Sequence, residues 1–404
     1  MEVKQIATIL NETIVPEALG SADIQVSEDL SNIVTVGKDV TQYLTVGNNL
    51  DNGVKKILNK VGKTINWNRP YIGMSPNILR DSWEYGSILE KNRAALAEAK
   101  ANDTWSLTNG TDYLDGTYYA PQVSSKLFNK STTFEIDISF GEKQFRESFL
   151  SRETLASFFG MIESRITDSM TVALDALTMR VLNNFALEHF KENKGVVNLL
   201  AMYNTTYTQS LTAQEASTDK DFLRFAAYQI LLFKSRMRGM GKQFNLEDFD
   251  THTPYDKQML IMHSDFAKGF DIFLQSDTYH NELVSVGEYR DVPYWQSAKG
   301  FTYNNSLAIA GKPASGEWTY ETMTFDSVSC NGVIGMLIDR DACAICREDM
   351  RVTSQYVPKA EFVNSYYKND CSYLNDLAEN GIIFTVENPV AHQKQTTNTT
   401  RTKK

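Results

Sequence analysis

Large apolar residues recur every three or four positions from Leu155 to Phe185, and mostly polar residues fill the positions between them. This period matches one face of an α-helix, so a single long helix is predicted over residues 151–192. Ser151 is a suitable N-cap because its hydroxyl can accept a hydrogen bond from the first turn. At 1.5 Å per residue the helix would be roughly 60 Å long, which is more than a small domain needs. Residues 221–238 show the same period and predict a second helix.

Residues 66–141 combine extended patterns with turn signals. The end of this region, STTFEIDISFG, alternates polar and apolar residues strictly, which predicts a half-buried strand. Residues 87–103 are rich in Ala and Glu and predict a helix. An Asn-Gly pair and an Asp-Gly pair between these two segments indicate turns. The region as a whole predicts a long hairpin, and such a hairpin needs a surface to rest on because an isolated two-stranded ribbon is only marginally stable in water.

Residues 1–65 are polar and uneven, with short helical patterns at residues 6–14 and 54–61. They predict an arm laid over another surface rather than a domain with its own core. Residues 258–263 predict a buried strand, and a helix is predicted after Ser264. Short strands broken by glycines follow, and the mixture of elements predicts an α+β fold.

Composition narrows the class of protein. The chain has 404 residues, a formal net charge of −10 and a pI near 5.2, which argues against binding nucleic acid or an anionic membrane through a general basic surface. Its first residues lack a basic start followed by an apolar run, so no signal peptide is expected. The strongest apolar stretches are too short to span a bilayer. Four cysteines do not make a disulfide framework, so a reduced protein is expected.

Cys343 and Cys346 form the sharpest local motif, a C-x₂-C pair of the kind that can bind zinc or act as a redox dithiol. Cys330 and Cys371 would complete four sulfur ligands, but they do not supply the second close pair expected of a zinc ribbon. If the segment is a strand, Cys343 and Cys346 point to opposite faces. Buried structural cysteines are therefore the favoured interpretation, and Cys343 and Cys346 are weak metal candidates.

Catalytic patterns are missing from the sequence. The phosphate-binding loop G-x-x-x-x-G-K-[ST], the dinucleotide fingerprint G-x-G-x-x-G and the nucleophile elbow G-x-S-x-G do not occur in a suitable context. The five histidines are scattered, and no pair has the spacing of metal ligands on one helix. We therefore expect neither an enzyme nor a bound cofactor.

The stretch YIGMSPNILRDSWEYGSILEK places large rings beside charges without a helical or strand period. Its aromatic residues Tyr71, Trp83 and Tyr85 lie near Arg80. Surfaces that face a partner are enriched in Tyr, Trp and Arg. The sequence therefore predicts that Tyr71, Arg80, Trp83 and Tyr85 contact another subunit.

The order of these elements resembles the major capsid protein of tailed bacteriophages, which has the HK97-type fold. The segments NRPYIGMSPNILRDSWEYGSILEK, YAPQVSSKLFNKSTTFEIDISFGEKQFRESFLSRETLASFFGMIESRITDSM and GVIGMLIDRDACAICREDMRVTSQYVPKAEFVNSYYKNDCSYLNDLAENGIIF carry the likeness, which spans most of residues 66–388. The resemblance implies an α+β HK97-like capsid fold with an N-terminal arm, an extended E-loop hairpin, a peripheral domain with a long spine helix, and an axial domain.

The resemblance also implies a division of the chain. The expected parts are an N-terminal arm (1–65), the E-loop with flanking strands (66–141), a peripheral domain with the spine helix (142–195), an axial domain (196–335, approximate), late strands that return to the peripheral domain (336–390) and a disordered tail (391–404). The stretch with Trp83 and Tyr85 would lie at the root of the E-loop, where its rings would pack on a neighbouring subunit.

The implied function is structural. Subunits of this family self-assemble into hexamers and pentamers that form the icosahedral head shell around the double-stranded DNA genome. Expected partners are further copies of the chain, a separate scaffolding protein, the portal protein and packaged DNA without sequence-specific contact, with no membrane. The virion would be assembled in the host bacterial cytoplasm. Two alternatives stay open: an encapsulin-like cargo shell, and a zinc-stabilised enzyme or binding module using Cys330, Cys343, Cys346 and Cys371.

Overall fold

The structure is a computed structural model. It describes residues 3–13, 25–36, 38, 76, 78–80, 89–97, 99, 108–111, 118, 120, 123–128, 130–273, 287–295, 301–303, 313–314, 317–318, 328–330, 332–348, 350–388 and 390–391. The helices in these residues include α1 (Val3–Thr13), α2 (Glu142–Ser148), α3 (Arg152–Glu192), α4 (Leu199–Tyr207), α5 (Lys220–Arg236) and α6 (Ser264–Phe273).

The described strands vary in length from two to fourteen residues. They are β1 (Leu79–Arg80), β2 (Leu89–Ala94), β3 (Val123–Phe128), β4 (Ser131–Gly141), β5 (Val196–Asn198), β6 (Gln258–His263), β7 (Arg290–Val292), β8 (Phe301–Tyr303), β9 (Pro313–Ala314), β10 (Glu317–Trp318), β11 (Val328–Cys330), β12 (Val333–Asp339), β13 (Cys343–Arg347), β14 (Arg351–Val357), β15 (Phe362–Asn375), β16 (Gly381–Thr385) and β17 (Val390–Ala391).

The predicted long helix is confirmed as α3. The Ser151 hydroxyl accepts from the Thr154 backbone N–H and Thr154 bonds back to the Ser151 N–H, which closes a capping box at the first turn. The helix ends at Asn193, whose left-handed backbone stops the hydrogen-bond ladder. The first two thirds of α3 bury one face, whereas residues 181–190 are buried all round because the helix end runs into the interior.

The first sheet is built around β15. This strand pairs with β4 along one edge, and with β14 and then β13 along the other, all antiparallel; β1 adds in parallel to β13. The predicted alternation of β4 is confirmed, since Ile138 and Phe140 are buried in the main core with α3. Its predicted place in the hairpin is wrong, because β4 pairs with β15, and that sheet supplies a buried face that a free hairpin lacks.

The second sheet has the order β5-β16-β12-β6-β7. It packs with α4, α5 and α6 around a second core that includes Phe222, Ile230, Phe270 and Phe384. The predicted helix over residues 221–238 and the predicted strand–helix pair at Ser264 are both confirmed as α5 and as β6 with α6. Residues 336–390 supply strands to both sheets, because β12 and β16 lie in the second and β13, β14 and β15 in the first.

Strands β2 and β3 form a separate antiparallel hairpin, with Leu89 opposite Phe128 and Ala94 opposite Val123. The helix predicted over residues 87–103 is therefore wrong at β2. Alternate residues of β2 are half-buried and exposed, as in a strand with one covered face. Pairing with β3 thus overrides the weak helix preference of Ala and Glu.

The chain termini are described in part. Helix α1 buries Ile6, Ile9 and Leu10 in the main core, and the predicted arm over residues 1–65 stays a prediction. The helical pattern at residues 54–61 lies outside the described residues. Ala391, where the predicted tail begins, pairs with β11 as part of β17, and residues 392–404 lie outside the described residues. Among the helices that the structure describes, none has the length and apolar character needed to cross a membrane.

Candidate functional site

The β2–β3 hairpin carries three cationic side chains on one face. Lys91 and Lys126 are directly opposite each other in the strand pairing. Arg93 is two residues further along β2 and therefore points to the same side. Like charges placed directly opposite destabilise a strand pair, so this face needs a negative partner.

Asp376 supplies that partner from the turn after β15. One of its carboxylate oxygens accepts from Lys91 Nζ at 3.0 Å and from Arg93 Nη2 at 2.8 Å, and the other accepts from Lys126 Nζ at 3.0 Å. The side chain of Asp376 is fully buried. Burial alone would raise the pKa of this carboxyl, but the field of Lys126, Lys91 and Arg93 outweighs it and holds the pKa at about 2. Asp376 is therefore ionised and central to the arrangement.

Two further carboxylates complete what we call the hairpin-base cluster: Lys91, Arg93, Lys126, Glu247, Asp376 and Glu379. Glu379 accepts from Arg93 Nη2, and its Oε1 lies 3.5 Å from Lys91 Nζ; Glu247 accepts from Lys126. Burial is the largest influence on Glu379 and raises its pKa, although Arg93 and Lys91 oppose the rise. Three cations thus meet three carboxylates in a largely buried space, so the cluster is balanced in charge.

Backbone groups fix the position of this cluster. Lys91 Nζ donates to the carbonyl oxygen of Asp341 at 2.8 Å, and Arg93 Nη1 donates to that of Ala378 at 3.0 Å. The Asp376 backbone N–H donates to the carbonyl of Ala342 at 2.8 Å. Asp376 lies between β15 of the first sheet and β16 of the second, so the hairpin is attached where the chain crosses between the sheets.

Sequence reasoning did not find the hairpin-base cluster. The signal was present in LEKNRA, where Lys91 and Arg93 alternate with polar residues at strand spacing. The helix prediction hid it, because residues at i and i+2 do not face each other on a helix. Asp376 and Glu379 are about 285 residues away along the chain, and only the fold brings them to the hairpin.

The predicted contact residues are mostly beyond what the structure describes. Tyr71, Trp83 and Tyr85 lie outside the described residues. Arg80 lies in β1, where its backbone is paired with Cys346 of β13. Their role in contacting another subunit stays a prediction.

The positions of the cysteines in the sheets favour a structural role. Cys343, Cys346 and Cys371 are buried and outside disulfide bonds, while Cys330 lies on β11 of another sheet. Cys343 is opposite Asn375 and Cys371 is opposite Arg347, so these two lie four positions apart along the sheet, roughly 13 Å. Cys346 points to the other face. Burial raises the pKa of Cys371 to about 12 and that of Cys343 further, which disfavours the thiolate that zinc requires.

Other metal-ligating side chains of the described residues are also dispersed. Within the ranges given above, no group of three or more His, Cys, Asp or Glu side chains is arranged to hold a metal ion. Cys343, Cys346 and Cys371 therefore do not share one zinc site, because Cys343 and Cys371 lie roughly 13 Å apart along the sheet and Cys346 points to the other face.

His189 lies near the end of α3 and is completely buried. Its Nδ1 is 2.7 Å from the carbonyl oxygen of Lys194, where it is placed to donate. Burial lowers the pKa of the imidazole to about 4, so the ring is neutral at pH 7. Gly381 packs against it so closely that a Cβ there would lie 2.9 Å from Nε2. His189 is thus a packed internal residue.

Comparison with known proteins identifies the family. The sequence matches the Phi29-like phage major capsid protein family over residues 12–385, which is most of the chain. A sequence comparison with curated proteins gives no match.

A comparison with solved structures bears on the fold. A chain in the capsid structure of Staphylococcus phage Andhra has a TM-score of 0.53 at 10% identity, covering 79% of this chain and 86% of that chain. A chain in the capsid structure of the cyanophage P-SCSP1u has a lower TM-score of 0.42 at 9% identity, covering 79% of this chain and 89% of that chain. The likeness to the Andhra capsid confirms the predicted HK97-like capsid fold.

The family match agrees with the resemblance inferred from the sequence and favours a phage shell over a cargo shell. It also places the protein among structural components of the virion. The chain belongs to the Phi29-like phage major capsid protein family, and it is a shell-forming structural subunit of a phage head.

Proposed function

We propose that copies of this chain assemble into hexamers and pentamers, which close into an icosahedral head shell around double-stranded DNA. The observation that carries the proposal is the β2–β3 hairpin, whose base is held by the hairpin-base cluster. Residues 95–122 join its two strands. An isolated two-stranded ribbon is only marginally stable in water, and the neighbouring subunit of a shell would supply a surface for the hairpin.

The hairpin would work as the E-loop of the family. It reaches over the adjacent subunit, so the contact joins two different surfaces. Such heterologous contacts form rings when the rotation between subunits closes. Tyr71, Arg80, Trp83 and Tyr85, at the root of the E-loop, pack on that neighbour as interface anchors.

The finer divisions and partners belong to the same proposal. Residues 1–65 act as an arm, residues 142–195 as the peripheral domain and residues 196–335 as the axial domain. A separate scaffolding protein guides assembly in the host cytoplasm, and a portal protein completes the head. The net charge of −10 supports a shell that encloses DNA without gripping its sequence. The subunit acts through assembly and has no catalytic role.

Electron microscopy tests the proposal. The purified protein is imaged in negative stain, alone and with a candidate scaffolding protein, and its sedimentation profile is recorded in parallel. Rings of five and six subunits, or closed shells of uniform curvature, are expected. A small oligomer under every condition, with scaffold included, would contradict the proposed assembly.

A further inference from the structure

Helix α5 is apolar on both of its faces. Its inner face packs in the second core through Phe222, Leu223, Ala226, Ala227, Ile230 and Phe233. Its opposite side carries the exposed residues Tyr228 and Leu231 beside the half-buried residues Phe225 and Leu232, and we call these four residues the outer face of α5. A surface helix normally has a polar outer side, and a helix that is apolar all round is normally covered on all sides.

The outer face of α5 is open to solvent in the subunit. Tyr228 is 61% exposed and Leu231 is 36% exposed, so the part of the chain that the structure describes leaves Tyr228 mostly uncovered and Leu231 about one third uncovered. The apolar surface continues onto α4, because the ring of Tyr207 lies 5.9 Å from that of Phe225 and is itself exposed. Exposed apolar residues that adjoin one another in this way mark interaction sites.

The segment that carries this apolar surface is rich in positive charge. Residues 220–242 contain six Lys or Arg residues and one acidic residue, in a chain whose net charge is −10. Arg238 lies over the ring of Tyr255 at 4.5 Å, and Arg236 lies over that of Phe233 at 5.4 Å. Stacking on a ring limits the freedom of a guanidinium group, so less entropy is lost when it binds a carboxylate.

We propose that the outer face of α5 binds a second copy of this chain. The charge argues for this occupant, because the rest of the chain is strongly acidic and complements a basic rim. The apolar centre argues against DNA, whose phosphates attract the cations but leave Tyr228 and Leu231 uncovered. The inference rests on the proposed assembly and adds to it a contact separate from the hairpin.

A paired substitution tests the contact. Tyr228→Ser with Leu231→Ser removes the apolar centre, and Met161→Ser with Val172→Ser, on the exposed side of α3, is the matched control at 39% and 68% exposure. The first pair is expected to raise the protein concentration at which assembly begins by about tenfold or more. The control pair is expected to change it less than twofold. Circular dichroism melting checks that both variants fold as the unchanged protein does.

The results separate the two proposals. Failure of the unchanged protein to assemble would overturn the proposed function and, with it, this contact. Assembly of the unchanged protein together with normal assembly of the Tyr228→Ser, Leu231→Ser variant would overturn the contact alone. If the Tyr228→Ser, Leu231→Ser variant does not fold, the crosslinking experiment decides, because it does not require the apolar residues to be replaced by serine.

For crosslinking, Tyr228 is replaced by p-benzoylphenylalanine, and assembled particles are made from a mixture of ¹⁵N-labelled and unlabelled protein. Crosslinked peptides that combine one labelled and one unlabelled partner are expected, because only contacts between copies produce them. Crosslinks confined to one copy would mean that another segment of the same chain covers the outer face of α5. Crosslinks to scaffolding protein or to DNA would likewise overturn the proposal.

Discussion

Replacing Asp376 by Asn leaves three cations of the hairpin-base cluster facing two carboxylates. The substitution keeps the shape of the side chain but removes the charge that Lys91, Arg93 and Lys126 share. A pKa of about 2 instead of the ordinary 3.8 corresponds to about 2.5 kcal/mol in favour of the carboxylate. Removal of one partner from a buried ion pair costs about 3–5 kcal/mol. We therefore expect Asp376→Asn to weaken attachment of the hairpin by about 3 kcal/mol.

Hydrogen exchange of the unassembled subunit measures the weakened attachment at the amides of the hairpin itself. A cost of about 3 kcal/mol corresponds to about a hundredfold loss of protection for the amides of β2 and β3. The amides shared by β6 and β12 serve as the internal reference and are expected to keep their protection. Glu379→Gln is the matched control. Burial already raises the pKa of Glu379, so neutralising it is expected to cost less than neutralising Asp376.

The contribution of Asp376 to stability decreases as the pH falls. Because the folded pKa of Asp376 is depressed, its contribution to stability is present above pH 4 and is lost as the pH falls toward 2. Unchanged protection of β2 and β3 in Asp376→Asn would show that packing of Phe128 against Ala344 and Leu374 holds the hairpin instead. An equal loss in the reference sheet would show that Asp376 supports the turn rather than the hairpin.

Three shorter predictions concern other parts of the molecule. The unchanged protein should lose about 2 kcal/mol of stability between pH 7 and pH 5, because the pKa of His189 is about 4 in the folded state and the unfolded ring takes up a proton first. His189→Gln should abolish this loss, and thermal melting at both pH values checks it. Gly381→Ala should lower the melting temperature because the new Cβ would overlap the Phe185 ring. Trp83→Ala with Tyr85→Ala should leave a folded subunit but weaken assembly by a few kcal/mol per contact, measured by sedimentation.

Elements with a strong local pattern were predictable from the sequence. Helix α3 was found because its apolar stripe continues without a proline and begins at a capping residue, Ser151. Strand β4 was found because a period of two persists over its whole length. In both cases the spacing of apolar residues within the element itself indicates which side is buried.

Pairing partners were not predictable in the same way. Nothing within β4 specifies that it pairs with β15. A strand with one buried face alternates polar and apolar residues in the same way in a hairpin and in a larger sheet. The strand β2 has the composition of a helix, and its conformation is decided by β3 and by Asp376. The outer face of α5 was also missed, because its apolar residues look like core until the fold shows which side is covered.

The charges of the hairpin-base cluster also fix how β2 and β3 align. Lys91 opposite Lys126 is an unfavourable pairing for the hairpin alone, so the observed register is stable only when both lysines reach Asp376. A slip of one residue would turn Lys126 to the other face of the ribbon and leave Asp376 with too few cations. An apolar anchor would tolerate such a slip better, because apolar contacts are not directional. The ionic cluster therefore selects one register of β2 against β3.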